Sequence, residues 1–313
     1  MKRYLLQKCF SLLPVLFGIS LAAFVLGVVT PGNPAELALS AGGYTPTPEQ
    51  IAAMEMQMGL DQPYLAQYVR WVGRVLCGNL GTSYASGNSV VQELLTRLPV
   101  TLRLTAYAMA LTCVLGIALG CAAAAFREGA IDRIIRFGIN VSLSLPGFWF
   151  ALLMILIFSE MLGWLPTSGG GGLRHIIMPT TVLSLAPCAT SARLTRAALL
   201  SEAGKPYYSA AVCRGAGRWG QVVQNALPNV IPPVSALLGN SLGGMLGGSV
   251  IVETIFALPG IGSYALDAIH ARDYPALQGY VLLTGFVFVT ITLIVDIISM
   301  LSDPRVRVGR SRI

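Results

Sequence analysis

The sequence predicts an all-α polytopic membrane protein: six spanning helices and a small helical insert outside the bilayer. Three observations predict it. Of 313 residues, 54% are apolar and only 11% are charged, whereas a soluble domain carries about 25% charged residues. The mean hydropathy is +0.68. The apolar residues gather in six runs near the length of about 20 residues that crosses a bilayer as a helix.

The first run, Cys9–Val29, follows a basic start of Lys2, Arg3 and Lys8. A secretory leader has a similar make-up, but no A-x-A-like cleavage site follows. Residues 1–30 are therefore read as an N-terminus and a retained first span. Residues 31–103 form the one long outer loop. In it, Thr47-Pro48-Glu49-Gln50 supplies an N-cap, a proline at the first helical position and a capping-box glutamine. Gly59 ends that helix, a second follows Asp61-Gln62-Pro63, and Ser89 with Gln92 opens a third before Pro99. The core, 104–302, holds runs at Leu104–Phe126, Phe137–Ser159, Ile176–Leu200, Ile231–Ile251 and Tyr274–Asp296. Pro146-Gly147 marks a kink in the third span. The fourth is the weakest, because Arg193 interrupts it. A basic tail, 303–313, closes the chain.

Charge sets the orientation. With the N-terminus inside, Arg70, Arg74, Arg97, Arg103, Arg174 and Arg272 fall outside, and the other 15 of the 21 Lys and Arg fall inside. That bias follows the positive-inside rule and places both termini in the cytoplasm. The net charge of +7 is thus a topology signal, and no nucleic-acid partner is expected. Six cysteines without a CxxC pair indicate neither a disulfide framework nor a zinc site. Phosphate-loop and HExxH patterns are absent, and no catalytic residue is assigned.

The polar stretch 203–228 lies between the fourth and fifth runs, on the cytoplasmic side. Tyr207–Cys213 reads as a short helix, Gly215 and Gly217 as a break, and Trp219–Leu227 as a second helix stopped by Pro228. An ordered cytoplasmic loop of this length is more often functional than a plain connection.

Its residues carry a resemblance. Ser209-Ala210-Ala211, Gly215 and Leu227-Pro228 follow the spacing EAA-x3-G-x9-I-x-LP. This is similar to the cytoplasmic loop of membrane subunits in binding-protein-dependent ABC importers. Ser209 stands where that pattern has Glu, and Asn225 where it has Ile. "GLDQPYLAQYVRW" (59–71), "GNLGTSYASGNSV" (78–90), "VETIFALPGIG" (252–262), "RDYPALQG" (272–279) and "DPRVR" (303–307) resemble the peptide/nickel permease branch. The link "GWLPTSGGGGLRHIIMP" (163–179) resembles nickel and glutathione permeases and leans to nickel. The resemblance implies the type I importer permease fold in a bacterial inner membrane. It implies as partners a second permease, two ATP-binding subunits that hold ATP and Mg, and an extracytoplasmic solute-binding protein. It also implies ATPase coupling for Ser209, Ala210, Ala211, Gly215, Leu227 and Pro228. A secondary transporter or channel is the alternative; it calls for inverted repeats, and none is evident.

Other residues keep two readings. Gly239, Gly243 and Gly247 recur every four residues, which suits close helix packing or a smooth wall of a translocation path. Glu253 ties backbone amides of 256–262 or acts as a gate, and Asp296 pairs with a basic group or hydroxyl near the inner end of the last span. Arg193 and Arg196 snorkel to headgroups or pair with a second permease. His175 and His270 are not assigned as metal ligands. Met54, Met56 and Met58 read as packing residues, with Met54 and Met58 on one helix face.

Overall fold

A computed structural model of the chain describes residues 2–29, 32–40, 45–169 and 172–302, with the side chains of 2–11, 296 and 298–302 outside the description. The side chain of Asp296 and the tail 303–313 thus lie outside the described residues. In chain order the helices are α1 (Lys2–Val29), α2 (Pro34–Ser40), α3 (Pro48–Met58), α4 (Tyr64–Leu76), α5 (Val90–Ala125), α6 (Ala130–Ser144), α7 (Gly147–Met154), α8 (Leu173–Glu202), α9 (Pro206–Cys213), α10 (Arg218–Gly220), α11 (Leu227–Ile255), α12 (Ile261–Ala271) and α13 (Tyr274–Ser302). π-Helical turns extend α7 over Ile155–Met161 and join α10 to α11 over Gln221–Ala226.

One compact unit comprises residues 1–100 and 259–289. Two of the cap signals in its insert, at either end of α3, act as the local chemistry requires. The Thr47 side chain accepts from the Gln50 amide, and the Gln50 side chain accepts from the Thr47 amide. Gly59 takes the left-handed conformation at φ +72° and ends α3. Met54 and Met58 are half-buried on one face while Met56 is exposed. Phe24 stacks edge-on against Tyr68 of α4 and lies beside Trp71. A second cluster packs Val90 and Leu94 against Ile261, Tyr264 and Ala268.

Asp273 is the main polar anchor of this unit. It is buried, accepts the Ser83 hydroxyl at 2.5 Å and the Ala85 amide at 3.2 Å, and caps α13 through the Ala276 amide. Two of the resembling segments, 78–90 and 272–279, are therefore tied by one carboxylate. Burial, with Asp273 nearby, pushes the phenol of neighbouring Tyr84 up to about 12.

The second unit comprises residues 101–258 and 290–313. α8 packs against α11, α6 and α7. Its buried face includes Thr180, Ser184, Ser191 and Thr195. Gly116 and Gly120 of α5 meet that face: a Cβ on Gly120 would lie 2.5 Å from the Thr195 Cβ and 2.9 Å from the Ala192 carbonyl. Small residues four apart on both helices allow this approach.

Several local expectations are corrected. Pro99 does not end a helix; α5 runs through it. Pro146 does more than kink the third span: α6 and the α7 segment meet at 106°, so residues 130–161 form a broken span or a re-entrant pair. Neither arm alone approaches the roughly 20 residues a straight crossing needs. Among the described residues four helices are long and apolar enough to span, or five if the bent pair counts as one. α8, at the place of the fourth expected span, is less apolar than these. α8 has 30 residues, ample length, but it carries two internal prolines and a hydroxyl-rich buried face. Helices α2 and α12 were not anticipated.

Candidate functional site

The site is built at the loop between α8 and α11. Glu202, the last residue of α8, fixes the loop's first turn. It accepts hydrogen bonds from the Lys205 ammonium and from the Tyr207 hydroxyl, and Asn229 of α11 donates to that hydroxyl at 3.1 Å. Burial, reinforced by the Glu202 carboxylate, raises the Tyr207 phenol above its ordinary value, so Tyr207 remains a donor at neutral pH. Lys205 precedes Pro206, the first residue of α9, where a proline loses no helical hydrogen bond.

α9 ends in a two-bond reversal. The Gly215 amide donates to the Val212 carbonyl and the Ala216 amide to the Ala211 carbonyl, the Schellman pattern. It requires a left-handed residue, and Gly215 supplies it at φ +77°. No atom of the chain lies within 4 Å of where a Gly215 Cβ would be. Ala211 is 1% exposed and anchors α9, whereas Ser209 and Ala210 face outward. Val212 and Trp219 are 47% and 50% exposed. Two apolar side chains are thus presented by a loop that contains Lys205, Arg214 and Arg218 and no acidic residue.

Pro228 does not stop the second helix. The chain continues from α10 through a π-helical turn into α11, with Pro228 in the first turn of α11. The wider turn and two side-chain amides accommodate it: Asn225 donates to the Gly220 carbonyl and Asn229 to the Asn225 carbonyl. Leu227 is half-buried and packs on the cluster of Ala124, Leu199, Val222 and Val230. A cleft of about 510 Å3 lies between α9 and the end of α5, lined by Arg127, Tyr208, Val212 and Arg218 among others.

The glycines of α11 divide into two kinds. A Cβ on Gly239 would lie 2.0 Å from a Val295 methyl, so that position is a helix contact. Gly247 has nothing within 4 Å, and neither does Gly244; Gly243 is half-buried. The exposed face of α11 runs through Ala236, Asn240, Gly244, Gly247, Ile251 and Thr254, offset from the expected stripe. Glu253 is fully buried, and the Thr101 hydroxyl donates to it at 2.6 Å. The Glu253 carbonyl accepts the Leu258 amide at 2.8 Å. His270 is exposed and His175 half-buried, each in its own unit. Among the described residues no three His, Cys, Asp or Glu side chains gather as a metal site would require.

Residues 116–308 match the model of the family described as binding-protein-dependent transport system inner membrane component. Residues 1–105 match the N-terminal model of such membrane components. The chain belongs to this family of transport permeases.

The permease is 34% identical over 315 residues to a putative peptide transport system permease of Brucella abortus, covering 98% of this chain and 99% of that one. It is 32% identical over 335 residues to a dipeptide transport system permease of Alkalihalophilus pseudofirmus, covering 98% and 100%. A glutathione transport system permease of Salmonella paratyphi A is 34% identical over 307 residues, covering 98% and 99%. The fold is similar to that of the inward-facing MetNI methionine ABC transporter, with a TM-score of 0.58 at 20% identity, over 68% of this chain and 97% of that one. The protein is thus a multi-pass inner-membrane component of an ABC transporter, and its relatives are transport permeases rather than enzymes.

Proposed function

We propose that this permease forms, with a second permease, the path through which an ATP-driven importer moves small peptides delivered by a solute-binding protein. The observation that carries the coupling part is the α9 turn: a short helix closed by Gly215, anchored inward by Ala211 and presenting Val212 and Trp219 to a partner. Two ATP-binding subunits that hold ATP and Mg are the partners this surface serves. Their closure on ATP pushes α9, and the rigid Glu202–Tyr207–Asn229 network passes the motion to α8 and α11 together. The loop and both termini face the cytoplasm in this reading.

The peptide class rests on the names of the relatives, which carry peptides, a dipeptide and glutathione. Nickel, suggested by the 163–179 link, has no such support among them. Of the glycine stripe, Gly239 is assigned to packing and Gly247 to the wall. Asn240, Gly244 and Ile251 join Gly247 there, and buried Glu253 braces α11 from behind. The test is uptake of a labelled dipeptide into vesicles holding the permease and its co-encoded subunits. Uptake is expected only with internal ATP and binding protein. Uptake by this chain alone, driven by an ion gradient, would instead show the secondary transporter or channel.

A further inference from the structure

A second cleft, of about 540 Å3, lies between α6 and α8, away from α9. It is lined by four arginines. Arg133 and Arg136 share one face of α6 with Phe137 and Asn140, at i, i+3, i+4 and i+7; Arg193 and Arg196 share one face of α8. The acid nearby is already engaged. Asp132, fully buried, accepts two hydrogen bonds of 2.8 Å from Arg196 and lies 3.6 Å from Arg136. That pairing fixes two of the guanidinium groups. Arg133 and Arg193 are exposed and have no ion pair among the described residues. The cleft therefore keeps two uncommitted cations on a rigid frame.

Depth and apolar surroundings narrow the ligand. Arg196 and Arg193 precede the end of α8 at Glu202 by roughly 9 to 14 Å of helix rise, which is the level of the headgroups if the loop beyond is cytoplasmic. Ile134 and Phe137, each about 70% exposed, flank the cations on the same helix. A soluble anion has no use for that apolar flank, whereas a lipid brings a phosphate and acyl chains together. We infer that this cleft binds the phosphodiester headgroup of an anionic phospholipid, with Arg133 and Arg193 as its cationic ligands. The inference rests on the membrane placement above and not on the coupling role of α9.

The test is native mass spectrometry of the purified full-length chain in neutral detergent. It is titrated with dioleoyl phosphatidylglycerol, with dioleoyl phosphatidylcholine and with soluble glycerol phosphate. Phosphatidylglycerol is expected to bind at least tenfold more tightly than phosphatidylcholine, and glycerol phosphate not at all at the same concentrations. The pair Arg133→Ala and Arg193→Ala should weaken phosphatidylglycerol roughly thirtyfold, since each basic side chain near an anionic surface is worth several-fold. The pair Arg133→Lys and Arg193→Lys should stay within about threefold, which keeps the test readable if the alanine pair folds poorly. Equal binding of the two lipids, or undiminished binding by the alanine pair, overturns the inference. So does glycerol phosphate binding as tightly as the lipid. In the intact transporter purified in parallel, loss of another subunit from the alanine pair with lipid binding unchanged overturns it as well, and assigns the arginines to a protein interface.

Discussion

Gly215→Asp is expected to insert in the membrane normally, to lose most co-purifying ATPase subunit and to abolish peptide uptake. Three effects combine. The position requires φ +77°, which costs an ordinary residue about 1–2 kcal/mol and aspartate, like asparagine, only part of that. A side chain there meets nothing in this chain, so any steric effect arises against the partner, where overpacking costs about 1–3 kcal/mol. The loop's own charge is wholly basic, so the fitting partner surface is acidic and repels an introduced carboxylate. Together these correspond to a loss of association of roughly a hundredfold or more. Gly215→Ala carries the backbone strain without the charge and should lose roughly five- to thirtyfold. Gly215→Asn, which tolerates the left-handed region and is neutral, should fall between wild type and Gly215→Asp. Pull-down of the ATPase from solubilised membranes measures all three. Gln224, exposed on the π-helical turn, is the control. Gln221 is unsuitable, because its side-chain amide donates to the Ala216 carbonyl and supports the turn itself. Wild-type ATPase recovery with Gly215→Asp would show that the turn is not a docking element.

The second large effect is expected at Gly120. A Cβ there would press on Thr195 and on the Ala192 carbonyl at 2.9 Å. A side chain can turn away from such a contact; a backbone carbonyl cannot, so α5 and α8 must separate. Gly120→Ala should destabilise the chain by about 1–3 kcal/mol, and Gly120→Val by more, seen as a lower melting temperature and poor recovery in detergent. Gly18→Val in α1, where nothing lies within 4 Å, should melt like wild type. A Gly120→Val chain that also melts like wild type would remove α5–α8 contact as a determinant of the fold.

The two glycines show what the sequence makes legible. Gly215 was readable because its signal is local: a helical stretch, a residue free to take positive φ and the spacing to Leu227-Pro228. The same holds for Thr47, Gln50 and Gly59, whose caps need only neighbouring residues. Asn33-Pro34 carries an equal local signal for α2, since the Asn33 side chain accepts from the Ala35 amide. Gly116 and Gly120 were spaced like the α11 glycines but lay in a plain apolar run. Only the facing Ser191 and Thr195 single them out.

Long-range pairings left no trace in the sequence. Asp132 and Arg196 are 64 residues apart, and Ser83 and Asp273 are 190 apart. Pro228 misled because a proline stops a regular helix, whereas here it follows a π-helical turn that suits it. Pro146 marks in the sequence where the helix yields but not the 106° angle by which it does. The bend leaves four or five spans by length and composition among the described residues, and α8, expected as the weakest span, is rich in Ser, Thr and Pro because a helix buried among other helices needs no apolar lipid face.

The most direct measurement places a photo-crosslinking amino acid at Val212 of α9 in the intact transporter. A second variant carries it at Leu65 of α4, which is also outward-facing, at 75% exposure. The account predicts that position 212 forms an adduct with the ATP-binding subunit and that position 65 does not. The yield at 212 should change when ATP is added. No ATPase adduct at position 212, or an equal yield at position 65, would contradict the assignment of α9 as the element through which this permease is driven.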